Sequence, residues 1–389
     1  MTPYGASKYK LNDSASLMLD IVRFSAAMVV FCYHFAQPIS QTGVRSWGAA
    51  GEYAVPVFFV LSGFVIRFVT LSREHSLKEY LIDRASRIYS VTIPAVVLTL
   101  VCYLLCLAIN RELYNSLWGN VSNHVPIRVL VNLLFLSQAW GHGFTLLIDS
   151  PFWSLGYEIP YYVIYGLIFY LRGVRRVIAV VIWLLLFGPQ VAILLSIWWL
   201  GCWIYDFYIW IRGRFLANML RIAALLWAAV GGALWVAGRP GILWFPFSLV
   251  GTARTIELGG ALHLPIGNIN TRFLAVGVIS GVLMFLGLLL SDWVNIPREH
   301  WLMLRVRRIA DGTFSIYLLH YPLFALAIVS GTFSRDVPGR NIAVAAGICA
   351  FLIWASKPMD DLKKVMRRRL RSAFIPASKV SSSSTLTVR

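Results

Sequence analysis

The sequence predicts an all-α fold: a polytopic membrane bundle of about ten transmembrane helices with both termini in the cytoplasm. Of 389 residues, 58% are hydrophobic and 13% charged, about half the charged share of a soluble domain. Apolar runs of roughly 17 to 25 residues, the length that crosses a hydrocarbon core, recur along the chain. Between them Lys and Arg alternate in abundance, 24 on one side and 8 on the other. The richer side holds both ends and is therefore cytoplasmic. The net charge of +18 is then mostly topology and contact with anionic lipid rather than a nucleic-acid surface.

The runs lie near 17–37, 52–71, 90–109, 152–171, 177–188, 191–211, 219–238, 272–291, 310–331 and 341–357. The fifth is short and ends at Gly188-Pro189, where it tilts or runs into its neighbour. Residues 1–16 form a polar leader, 17–357 the membrane domain, and 358–389 a basic then Ser/Thr-rich cytoplasmic tail that is disordered or lies on the membrane surface. Between the second and third runs, Leu77, Tyr80, Leu81 and Ile88 alternate with Lys78, Arg84 and Arg87, the pattern of an interfacial helix. The outer segment 110–151 contains the apolar stretch Val125 to Trp140, a candidate re-entrant or lumen-packed helix. The other, 239–271, combines Trp244, Phe245 and Phe247 with Arg254, Glu257 and His263, a composition that suits either a carbohydrate or an interfacial aromatic belt. Cys32, Cys102, Cys106, Cys202 and Cys349 all fall in apolar runs without metal-ligand spacing and read as packing residues.

The first run carries Arg23 and His34 eleven positions apart. That is about three helical turns, so both share one face about 16 Å apart along the axis. Asp20 lies within about 60° of the same face. Ionisable groups at membrane depth are costly and mark functional paths. A neutral imidazole at His34 suits abstraction of a proton from a hydroxyl; its alternative is a core histidine bonded across helices. The Arg23 fork suits phosphate or carboxylate, or snorkels to inner headgroups. Arg84 and Arg87, one turn apart, make a clamp for a polyanion or contacts to anionic lipid. Glu158, at the outer start of the fourth run, orients His34, binds an acceptor hydroxyl or pairs with an arginine. Tyr317 and His320 read as structural hydrogen-bonding residues.

At these positions the chain resembles the acyltransferase 3 family of integral membrane acyltransferases. The resemblance rests on Arg23-x10-His34, on Val55-Pro56-Val57-Phe58-Phe59-Val60-Leu61-Ser62-Gly63-Phe64, on Arg84-x-x-Arg87, on Trp153-Ser154-Leu155 with Glu158, and on Thr313-Phe314-Ser315-Ile316-Tyr317-Leu318-Leu319-His320. It implies an O-acyltransferase that moves an acyl group, usually acetyl, from cytoplasmic acyl-coenzyme A to a sugar or lipid-linked glycan at or beyond the outer face of a bacterial inner membrane. In that reading His34 and Glu158 are catalytic; Arg23, Arg84 and Arg87 bind acetyl-coenzyme A; Asp20, Ser62, Trp153, Tyr317 and His320 support the site; and no metal takes part. Some members carry an acid soon after the first-run histidine. Here Gln37 and Pro38 follow instead, and Glu52 is the nearest acid, so the partner of His34 stays open. A transporter or flippase for a lipid-linked sugar or anion is the alternative, weakened by the lack of a repeat.

Overall fold

The computed structural model describes residues 11–37, 40, 42–44, 50–73, 76–119, 123–236, 255–257, 268–294, 296–297 and 299–375. Arg254, His263 and the aromatic run 244–247 lie outside them, as do most of the leader and the Ser/Thr-rich tail.

Eleven helices carry the described chain: α1 Asp13–Phe35, α2 Ala50–Arg73, α3 Leu77–Trp118, α4 Val125–Leu133, α5 Leu155–Tyr170, α6 Gly173–Ile211, α7 Phe215–Val236, α8 Thr271–Ser291, α9 Trp301–Asp311, α10 Thr313–Val329 and α11 Pro338–Phe374. A three-residue antiparallel pair, β1 Thr255–Glu257 with β2 Asn268–Asn270, precedes α8. Six helices among the described residues are long and apolar enough to cross a membrane, or seven if α9 and α10, bent by 44°, form one span. The protein is thus an integral membrane helix bundle.

Local chemistry explains the boundaries. α1 starts where the Asn12 side chain accepts from the Ala15 N–H at 2.6 Å, with Asp13 in the positive first turn. α3 starts with a capping box: Ser76 accepts from the Glu79 N–H at 3.2 Å and its hydroxyl donates to the Glu79 carboxylate. The expected interfacial helix is therefore not a separate element. No breaker separates it from the third run, so α3 continues as 42 residues, with Pro94 inside and a break in helical geometry at Asn110. The stretch from Val125 is helical only to Leu133, because Phe135 and Trp140 take left-handed backbone angles.

The fifth and sixth runs both fall in α6, which loses helical geometry at Gly188, φ 78° and ψ 178°. Its contacts with α5 run in opposite senses on either side of that glycine. Before it, Gly173 follows the end of α5 while the Trp183 indole donates to the Pro160 carbonyl near its start, 3.0 Å. After it, Gln190 donates to the Tyr157 hydroxyl at 2.9 Å, and Trp198 packs on Tyr161 and Tyr165 further along. The chain reverses at Gly188, a conformation glycine adopts without a Cβ penalty.

Two apolar clusters fill the interior. One gathers around α1, α3 and α10, with Phe31, Trp118, Leu155 and Phe324. The other lies between α2, α5 and α6, with Phe59, Phe64, Tyr161, Trp198 and Tyr205. The outward faces of α6 and α11 leave Val174, Leu185 and Trp354 more than three-fifths exposed, as lipid-facing residues are.

Candidate active site

The seam between the two clusters holds a cavity. Arg23 of α1, Arg84 and Arg87 of α3 line it together with Ser62, Glu158 and Tyr162; Phe58, Phe59, Ile66, Ile88 and Phe314 supply an apolar wall. Three fixed cations from two helices thus meet over a largely hydrocarbon surface. Arg23 pairs with Asp20 at 3.3 Å, and both are about four-fifths buried. Arg84 is 8% exposed and lies over the Tyr80 ring, 5.5 Å to its centroid. That contact holds the guanidinium plane at the cavity wall.

Arg23 and Arg87 also line a second cavity. Its remaining walls are mostly polar, with Ser90 of α3, Asp311 of α9, and Ser356, Asp360 and Lys363 of α11 beside the apolar Val91, Ala310, Phe314 and Met359. Lys363 bonds Asp360 one turn before it. The two arginines therefore stand at the junction of a polar and an apolar compartment.

Glu158 sits in a network that the sequence did not foretell. It accepts from the Ser62 hydroxyl at 2.7 Å and from Tyr162; Ser62 in turn accepts from the Trp198 indole at 3.2 Å. The four groups come from α2, α5 and α6, so this knot ties the seam together as well as lining the cavity. Trp153 stands beside it, packed edge-on against Tyr157 and tilted on Phe273; it is not among the cavity-lining residues.

His34 occupies the last turn of α1 and is 8% exposed. Its Nδ1 lies 3.3 Å from Gln37 Oε1. With the amide oxygen accepting, Nδ1 carries the proton and Nε2 is left as the basic nitrogen. Gln37 is thus the partner left open by the sequence, supplied by the i+3 position just past the helix end. Glu158 bonds Ser62 and Tyr162, so the two expected catalytic residues are not joined by a hydrogen bond. What adjoins His34 is α10: His320 at 5.2 Å and Tyr321 at 4.8 Å between ring centroids. Tyr317, one turn before His320, is a cavity-lining residue whose hydroxyl donates to Ser154 at 2.8 Å. One helix face of α10 therefore joins the cavity to the histidine pair.

Sequence reading missed a third acid. Asp149, in the irregular segment before α5, is fully buried and accepts from Thr99 at 3.3 Å. Burial pushes its carboxyl well above the ordinary range. A loop acid among apolar residues gives no periodic signal, so only the fold reveals its depth.

A cavity lined by three arginines inside a membrane bundle, joined by one face of α10 to a buried histidine pair, defines an integral membrane protein with an internal polar site. The chain belongs to the acyltransferase 3 family, whose model, an acyltransferase domain, matches residues 17–357. It is a membrane acyltransferase. No curated protein and no solved structure matches the chain.

Proposed function

We propose that the protein is an O-acetyltransferase that carries acetyl from cytoplasmic acetyl-coenzyme A to a hydroxyl of a sugar or lipid-linked glycan on the outer side of a bacterial cytoplasmic membrane. The carrying observation is the union of Arg23, Arg84 and Arg87 over one apolar cavity. Phosphates need charge-assisted donors, which arginine forks supply; the pantetheine arm needs a narrow apolar channel, which Phe58, Ile88 and Phe314 supply. The polar cavity beside Arg87 and Lys363 suits the nucleotide end. Both termini are cytoplasmic and the ten apolar runs each cross once in this reading; the reversal at Gly188 supports counting α6 twice.

His34 Nε2 takes the proton from the acceptor hydroxyl, the oxygen attacks the thioester carbon, and the C–S bond breaks to give an ester and free thiol. Glu158, with Ser62 and Tyr162, holds the wall against which the thioester rests. The test uses purified protein in liposomes with acetyl-coenzyme A and a panel of saccharides, reading thiol release and sugar acetylation. His34→Ala abolishes transfer, a loss of at least about 100-fold, while its melting temperature stays near wild type. Full activity in a folded His34→Ala protein removes the mechanism.

A further inference from the structure

His320 is fully buried in the middle of α10, and the mechanism above leaves it idle. Its Nδ1 lies 2.7 Å from the Ile316 carbonyl. A carbonyl only accepts, so Nδ1 is the protonated nitrogen and Nε2 of the neutral ring is a lone-pair acceptor. That Nε2 has no hydrogen-bond partner among the described residues. Buried acceptors are normally satisfied, and an exception calls for an explanation such as a catalytic role. The rings around it are Phe31, Phe324, Tyr321 and His34. The phenylalanines offer no polar hydrogen, and Tyr321, which accepts from the Trp118 indole, makes no bond to Nε2. His34 is the neighbour whose ring gains an N–H during acyl transfer.

We propose that His320 is the positioning partner of His34: its Nε2 lone pair accepts the hydrogen bond of the N–H that His34 acquires from the acceptor hydroxyl. The rings lie 5.2 Å apart between centroids, tilted by 42°, and their nitrogens are not bonded in this structure; at that separation a small ring rotation on protonation of His34 brings the two nitrogens to about 3 Å, the length of such a bond. The proton leaves the acceptor oxygen for His34 Nε2; the new N–H forms a three-centre bond between the reacting centre and His320 Nε2 while the C–S bond breaks, and the proton then passes from His34 to the departing thiolate. The pair holds one positive charge in total. The device needs no carboxylate, which fits a site where Gln37 stands one turn after His34. It rests on the acyltransferase mechanism only in naming the source of the proton.

Two variants separate this role from a structural one. The amide nitrogen of His320→Asn stands where Nδ1 does and keeps the bond to Ile316, but nothing replaces Nε2. His320→Gln places an amide oxygen near the Nε2 position. Steady-state kinetics with acetyl-coenzyme A should show kcat of the Asn variant reduced about 10- to 100-fold with unchanged KM, and the Gln variant recovering part of the loss. An Asn variant with kcat within twofold of wild type overturns the proposal.

A second readout needs no donor. Nitrogen-15 spectra of histidine-labelled protein are followed over pH, the other titratable groups nearby being Tyr33, Tyr317, Tyr321 and Asp149. A shared proton moves the signals of both rings together in wild type, and His320→Asn alters the His34 signal. A His34 signal identical in both proteins also overturns the proposal. Coupled signals in a protein that never turns over acetyl-coenzyme A keep the pair and remove the donor assignment instead.

Discussion

Glu158 illustrates how much one residue depends on neighbours that sequence does not display. As the fourth-run acid it was a candidate partner for His34, but one of its oxygens, Oε1, accepts from both Ser62 and Tyr162 on the cavity wall. Replacing it with Gln keeps the shape and an oxygen that can accept from both hydroxyls, but removes the negative charge that strengthens those two bonds. Glu158→Gln is expected to lower kcat about 10-fold, the scale of a lost supporting bond, with donor affinity within twofold. Wild-type kinetics would make the carboxylate structural only. Arg23, His34, Arg84 and Arg87 were legible from the sequence because an ionisable residue in an apolar run is conspicuous. Gln37 and Tyr162 stand three and four positions from the expected site residues His34 and Glu158, so helical spacing held a faint signal for both. Trp198 and Asp149 gave none, since their roles exist only once α6 and the loop before α5 fold onto the seam.

At the scale of elements, α2 and α6 cross at near backbone contact. A Cβ on Gly63 would overlap the Trp198 carbonyl, and one on Gly201 would overlap that of Val60. Small residues that allow such approach are a recurrent means of joining membrane helices, where no hydrophobic force separates protein from lipid. Because the obstructing atoms are backbone, relief requires the helices to part, carrying Ser62 and Trp198 with them. Gly201→Ala is expected to destabilise by about 3 kcal/mol or more, seen as a lower melting temperature in detergent together with weaker donor binding. An unchanged melting temperature would show that the crossing is loose. The helices themselves were largely readable from apolar length. Their continuity was readable only in part: the break at Gly188-Pro189 was expected and α6 turns back there, whereas α3 absorbs the expected interfacial helix because Ser76 and Glu79 start it early.

The whole molecule is an apolar shell around a charged seam, and its orientation is testable. α11 runs on past the apolar portion to Phe374, and there Arg367 and Arg371 both pair with Asp83, beside Arg84. This ties the chain's basic end to the mouth of the cationic cavity, so both belong to one side of the membrane. His142 and Ser372 are exposed. In intact spheroplasts a membrane-impermeant maleimide is expected to label His142→Cys, and to label Ser372→Cys only after permeabilisation. The opposite pattern would invert the topology and place the cavity mouth outside.

The central claim is that Arg23, Arg84 and Arg87 hold an acyl-coenzyme A donor. Calorimetric titration of acetyl-coenzyme A into the detergent-purified protein, beside Arg84→Ala and Arg87→Ala, tests it most directly because it needs no acceptor. The account predicts saturable binding to the wild type, weakened at least about 10-fold in either variant, the cost of losing a charge-assisted bond of about 1.5 kcal/mol or more. Equal binding by all three folded proteins, or none by the wild type, would contradict it.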